Sequence, residues 1–81
     1  MDRTEFLQMA QKISVLKSGI CGIKQNIPDD LKVIHNEIVY YPAAYELSFN
    51  NGETQHTAIL HDLNANSVTH ADLERVSKYE P

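Results

Sequence analysis

The chain has 81 residues, which leaves room for one domain, residues 1–81. A fold of this length buries roughly 60–65% of its unfolded surface and is stable by about 4–12 kcal/mol. Apolar residues make up 42% and charged residues 22%, an ordinary globular balance, and the net charge of −4 excludes a general binder of nucleic-acid backbones while leaving a basic protein partner open.

Met1-Asp2-Arg3-Thr4-Glu5 has no basic segment followed by an apolar run. No signal peptide is therefore expected, and no apolar stretch approaches the length of a membrane span. A soluble, cytoplasmic protein is the expectation. Asp2 with Glu5 three residues on reads as a helix N-cap with its capping-box partner. Phe6, Met9, Ala10, Ile13, Leu16 and Ile20 then recur at helical spacing and form one apolar stripe. Lys17 suits the last turn and Gly19 the left-handed position after it, so a helix is predicted over about residues 3–18.

Residues 20–30 read as an irregular linker inside the domain, punctuated by Gly22 and by the turn signal Pro28-Asp29-Asp30. Cys21 is the only cysteine, which excludes an internal disulfide and fits a reducing compartment. From Leu31 the hydrophobic period changes to two. Lys32–His35 is predicted as a short strand, followed by a tight turn in which Asn36 tolerates positive φ and Glu37 suits a strict two-residue turn less well. Ile38–Phe49 is predicted as a long strand bent at Pro42, which cannot donate a ladder hydrogen bond. Its odd-numbered residues from Val39 to Phe49 form one apolar face, and Ile38, Tyr40, Pro42, Ala44, Glu46 and Ser48 form the other.

Asn51-Gly52 is a preferred type I′ pair and sets a hairpin register. It predicts Tyr45 opposite Ala58, Leu47 opposite His56 and Ala43 opposite Leu60, with Ala44–Ile59 and Glu46–Thr57 pairs on the other face. Residues 63–66 read as the next turn, Ser67–His70 as a last short strand and residues 72–76 as one helical turn capped by Asp72, with Ser77–Pro81 fraying. The expected fold is α+β: an N-terminal amphipathic helix and a four-stranded antiparallel meander, curled into a small, partly open SH3-like barrel. The helix stripe is expected to cover the start of the long strand around Ile38 and Tyr40. A plain α+β roll is the alternative.

Several side-chain sets approach a functional motif and fall short of it. Asp62-x-Asn64-x-Asn66-Ser67 resembles the start of a calcium loop, but Ser67 stands where Gly is needed and Leu73 where the closing carboxylate is needed. A polar β-turn explains it better. His35, His56, His61 and His70 follow no zinc-ligand spacing, and His56 and His61 have opposite parity on one strand. Cys21, in an apolar surround, reads as packed and not as a nucleophile, and Asp29-Asp30 as a capped turn and not as a carboxylate dyad. No catalytic residue, metal or cofactor is expected. Tyr40 and Tyr41 are adjacent, so one can lie in the core while the other is an exposed recognition anchor, unless the helix covers it too. Tyr40, His61, Asp62, Asn64 and Asn66 are the candidate partner-binding residues, with the hairpin tip as the other place left for function.

The segments Tyr40–Phe49 (Tyr-Tyr-Pro-Ala-Ala-Tyr-Glu-Leu-Ser-Phe) and His56–Val68 (His-Thr-Ala-Ile-Leu-His-Asp-Leu-Asn-Ala-Asn-Ser-Val) resemble a family of small uncharacterised proteins. Its members are encoded by phages, prophages and conjugative elements of Gram-positive bacteria. The resemblance covers most of the chain, and Ala58–Val68 is its most specific part. It implies no enzyme activity, but a genomic setting in which small acidic proteins bind and modulate host or defence proteins. The expected function is a non-enzymatic, protein-binding accessory module, such as an anti-CRISPR-like inhibitor. An oligomeric small-ligand binder or sponge and an uncharacterised structural protein are the alternatives.

Overall fold

A computed structural model describes residues 1–19, 27–62 and 67–80 of the chain. Helix α1 spans Arg3–Gly19. It starts where expected: the Glu5 amide donates to the Asp2 carboxylate at 3.3 Å, and the Phe6 amide to the Asp2 carbonyl at 3.0 Å. Phe6, Met9 and Ile13 are buried on one side of it, while Leu7 and Val15 are exposed. Covering Phe6 alone contributes about 1.5–3 kcal/mol. Gly19 closes the helix instead of following it. The rest of the expected stripe, Leu16 and Ile20, and Cys21 with Gly22 lie outside the described side chains.

The helix packs against an antiparallel sheet of five strands, β1 (Val33–His35), β2 (Ile38–Asn50), β3 (Glu53–Asp62), β4 (Val68–Asp72) and β5 (Ser77–Lys78), ordered β4-β3-β2-β1-β5. Four strands were expected. The fifth forms where fraying was expected, because Val76 is buried in the core and delivers Ser77 to the open edge of β1. The Tyr79 amide extends this edge by donating to the Lys32 carbonyl at 3.1 Å. Single 3-10 turns precede β1 (Asp29–Leu31) and β5 (Leu73–Arg75). The second is capped as expected by the Asp72 side chain, which accepts from the Glu74 amide at 3.1 Å. The Met1 amino group donates to the carbonyls of Leu73 and Val76, each at 3.0 Å, and so ties the start of α1 to that turn.

The Asn51-Gly52 turn has the positive φ values of a type I′ pair, 53° and 80°. From it the expected register runs to Ala44–Ile59 and includes Tyr45–Ala58, Glu46–Thr57 and Leu47–His56. There it breaks. Pro42, not Ala43, stands opposite Leu60, so Ala43 is an extra, unpaired residue. The physical cause lies in Pro42, which has no amide proton to give to the ladder. The bulge exchanges the two faces of β2. Tyr40 and Pro42 join Tyr45, Leu47 and Phe49 on the core side, whereas an uninterrupted strand would have placed Tyr41 and Ala43 there.

Core closure follows from that exchange. Tyr40 pairs with Val33 and both are buried; Leu60, Ala58 and Ala71 continue the same face and meet Phe6, Met9 and Ile13. The helix therefore covers Tyr40 as expected, but Ile38, at the strand's first position, stays 48% exposed. Tyr41 projects to the opposite face and is also fully buried.

Glu37 has φ of 65° next to Asn36 at 50°, so the first hairpin uses a strict two-residue turn with a side chain that resists it. The His35–Ile38 pair imposes the conformation. Replacing Glu37 by Gly removes the strain and is expected to raise stability by about 0.5–1 kcal/mol, a gain of several degrees in Tm by thermal melting.

Candidate interaction surface

β1 reaches β2 only at Ile38–Tyr40, and β4 reaches β3 only at Thr57–His61. Beyond these points the long hairpin has no third strand. Leu47–Asn50 and Glu53–His56 pair with each other alone and form a two-stranded ribbon. The molecule is correspondingly elongated, 42 Å by 26 Å by 21 Å.

Side-chain alternation carries the core face out along this ribbon. Tyr45 is half-buried and packs against the core, Leu47 is 44% exposed and Phe49 is 76% exposed. The stripe thus starts against the core and ends in solvent. Thr54 and His56 stand opposite Phe49 and Leu47. The reverse face of the ribbon is polar, with Glu46 and Ser48 paired to Thr57 and Gln55.

Two tyrosine–histidine pairs brace the hairpin, one on each face. The Tyr45 hydroxyl hydrogen-bonds His56 Nδ1, with ring centroids 5.9 Å apart, and so stiffens the root of the stripe. The Tyr41 hydroxyl hydrogen-bonds His61 Nδ1 on the other face, with rings 4.8 Å apart and tilted by 41°. Between the ribbon and the second 3-10 turn lies an open polar cleft of about 310 Å³, whose lining includes Glu53, Gln55, His56, Asp72 and Glu74.

Of the residues singled out from the sequence, the three described ones, Tyr40, His61 and Asp62, do not form one exposed patch. Tyr40, at 6% exposure, is a core residue and offers no exposed anchor. Asp62 is paired with Tyr40 and so shares its face, while His61 is paired with Tyr41 on the opposite face. Asn64 and Asn66, and most of the turn that resembles a calcium loop, lie outside the described residues; at its ends the Asp62 amide donates to the Ser67 carbonyl at 2.9 Å. The histidines are spread out: His35 Nδ1 lies 3.5 Å from the Arg75 carbonyl, and exposed His70 pairs with Ile59. Among the described residues no group of three or more His, Cys, Asp or Glu is placed to hold a metal ion, and no helix is long and apolar enough to cross a membrane.

Leu47 and Phe49 are the surface residues that reading the sequence missed as a site. Their alternation was visible, but it was assigned to the core. The signal lay in the lengths: the neighbouring strands are too short to cover a thirteen-residue partner. No family model, curated protein or solved structure matches the chain.

The two tyrosine–histidine pairs differ in burial, and their loss should differ in cost. Tyr41→Phe removes a hydroxyl from a fully buried side chain and is expected to cost about 1–3 kcal/mol, whereas Tyr45→Phe, at a half-solvated site, should cost under about 1 kcal/mol. Urea unfolding of both variants measures the difference.

Proposed function

We propose that this chain is a non-enzymatic, protein-binding accessory module whose docking element is the Leu47–His56 ribbon. The observation that carries the reading is the Tyr45–Leu47–Phe49 stripe: a continuation of the core face that the described residues cover less and less, ending in a 76% exposed Phe49. A solitary two-stranded ribbon is marginal in water. Aromatic side chains held out by such a ribbon are typical anchors of protein interfaces.

We further read the scaffold as a small, partly open SH3-like barrel. Its support is the meander whose last strand crosses to the free edge of the first, with a 3-10 turn just before it. The setting we propose is a phage, prophage or conjugative element, with a host or defence protein, such as a CRISPR nuclease, as the protein modulated. This part rests on the resemblance carried by Tyr40–Phe49 and Ala58–Val68.

Affinity capture from a bacterial lysate, followed by titration of the purified partner, tests the docking element. The double variant Leu47→Ser/Phe49→Ser should bind on the order of 30-fold more weakly. Its Tm should stay within a few degrees, because the substituted side chains lie outside the core. Undiminished binding by this variant would rule the ribbon out.

A further inference from the structure

We infer that β2 pairs along its outer edge with the same edge of a second copy of this chain, so that two Tyr45–Leu47–Phe49 stripes merge into one apolar face. The pairing stands on the edge itself. It rests on the reading of the ribbon as docking element only for the use of the merged face.

The edge is open because β1 stops early. β1 pairs with β2 only from Ile38 to Tyr40, while β2 runs on to Asn50. The two-residue Asn51-Gly52 turn fixes which backbone groups of β2 point outward. Asn50 and Glu53 flank the turn and exchange both hydrogen bonds, and the exchange recurs at every second pair: Ser48–Gln55, Glu46–Thr57 and Ala44–Ile59. Tyr45, Leu47 and Phe49 occupy the alternate positions, so their N–H and C=O groups point away from β3. Among the described residues no backbone group outside the sheet bonds to them. The residues of the apolar stripe are thus the ones with backbone donors and acceptors to offer.

Such a row is a template for another strand, and the side chains along it select a second copy. A closed twofold dimer joins the two edges antiparallel, with outward residues facing outward residues. Leu47 opposite Leu47 of the second copy satisfies this and sets Tyr45 opposite Phe49 at both ends. All three outward residues of each copy are then paired, and the aromatic pairs add to the backbone bonds. On the reverse face Glu46, the acid nearest the seam, meets Ser48. A two-residue shift in one direction would put Glu46 opposite Glu46, and in the other Tyr45 opposite the turn residue Asn51. A one-residue shift would set outward backbone groups against inward ones.

The twofold axis of this pairing is perpendicular to the sheet, so both core faces lie on the same side. Phe49, 76% exposed in one copy, then lies against Tyr45 of the other, at the margin of that copy's core. Five residues per edge bury less than the roughly 1,200 Å² of a standard stable interface, so the dimer is weak and forms at about tens of micromolar or above.

Sedimentation equilibrium of the full chain between about 5 μM and 1 mM tests the pairing, and should show a monomer–dimer equilibrium. Ser48→Lys sets an ammonium opposite Glu46 at both ends of the seam and should tighten the dimer about five- to tenfold; Ser48→Glu sets a second carboxylate there and should weaken it as much. Gln55→Lys adds the same charge to the same face, one strand further from the seam, and should change the dimer less than about twofold. Leu47→Pro removes an outward N–H that β3 does not use, and should give a folded monomer by circular dichroism. If that variant unfolds, the two Ser48 variants decide alone. A dimer that Ser48→Lys fails to tighten, or that a folded Leu47→Pro variant retains, overturns the pairing. A monomer throughout overturns it too, and leaves the edge to an extended segment of another protein. A monomer whose capture of a partner protein still weakens in Leu47→Ser/Phe49→Ser overturns the pairing and keeps the docking element. A dimer with the expected Ser48 response, whose capture of a partner survives that double variant, keeps the pairing and overturns the docking element.

Discussion

A strand has a side-chain period of two, so it can keep only one parity of residues on the core side unless an extra residue interrupts it. In β2 that residue is Ala43. Before it Tyr40 and Pro42 face the core; after it Tyr45, Leu47 and Phe49 do. Both runs need the bulge. Without it, the Asn51-Gly52 register would turn Tyr40 and its partner Val33 to the face opposite Leu60 and Ala58, and Ala43 would replace Pro42 against Leu60. Packing of the helix and presentation of the stripe therefore depend on one unpaired residue next to a proline that has no amide proton to donate.

The parts of the fold legible in the sequence were those set by local chemistry. Asp2 and Asp72 cap the turns that follow them, because a short carboxylate reaches a nearby amide in each case. Asn51-Gly52 sets seven consecutive pairs of the long hairpin, from Ala44–Ile59 to Asn50–Glu53. What was not legible depends on distant partners. Ser77-Lys78 has no strand signal of its own and is ordered by the open edge of β1. Glu37 adopts a left-handed conformation because the strands on either side of it are already paired. Pro42 announced a bend, but a bend and a one-residue change of register look alike until the partner strand is in place.

The same limit explains the candidate site. Tyr40 was singled out as an aromatic anchor, and His61 and Asp62 for their place beside the polar turn. Register separates His61 from the other two, and packing buries Tyr40. Leu47 and Phe49 had the alternation of core residues, and they do lie on the core face. They are exposed because that face outruns its cover: Tyr45 is the last of the stripe to pack against the core cluster, and neither β1 nor β4 reaches the ribbon. A core pattern becomes an exposed apolar surface wherever a sheet extends beyond what packs on it.

Cross-strand nuclear Overhauser contacts in the long hairpin test the central claim most directly. The account predicts contacts for Tyr45 with Ala58 and Leu47 with His56 on the turn side of Ala43, and for Pro42 with Leu60 and Tyr41 with His61 on the other side. An uninterrupted register, with Ala43 facing Leu60 and Tyr41 facing Asp62, would contradict it, for the core and the stripe could not then share one face.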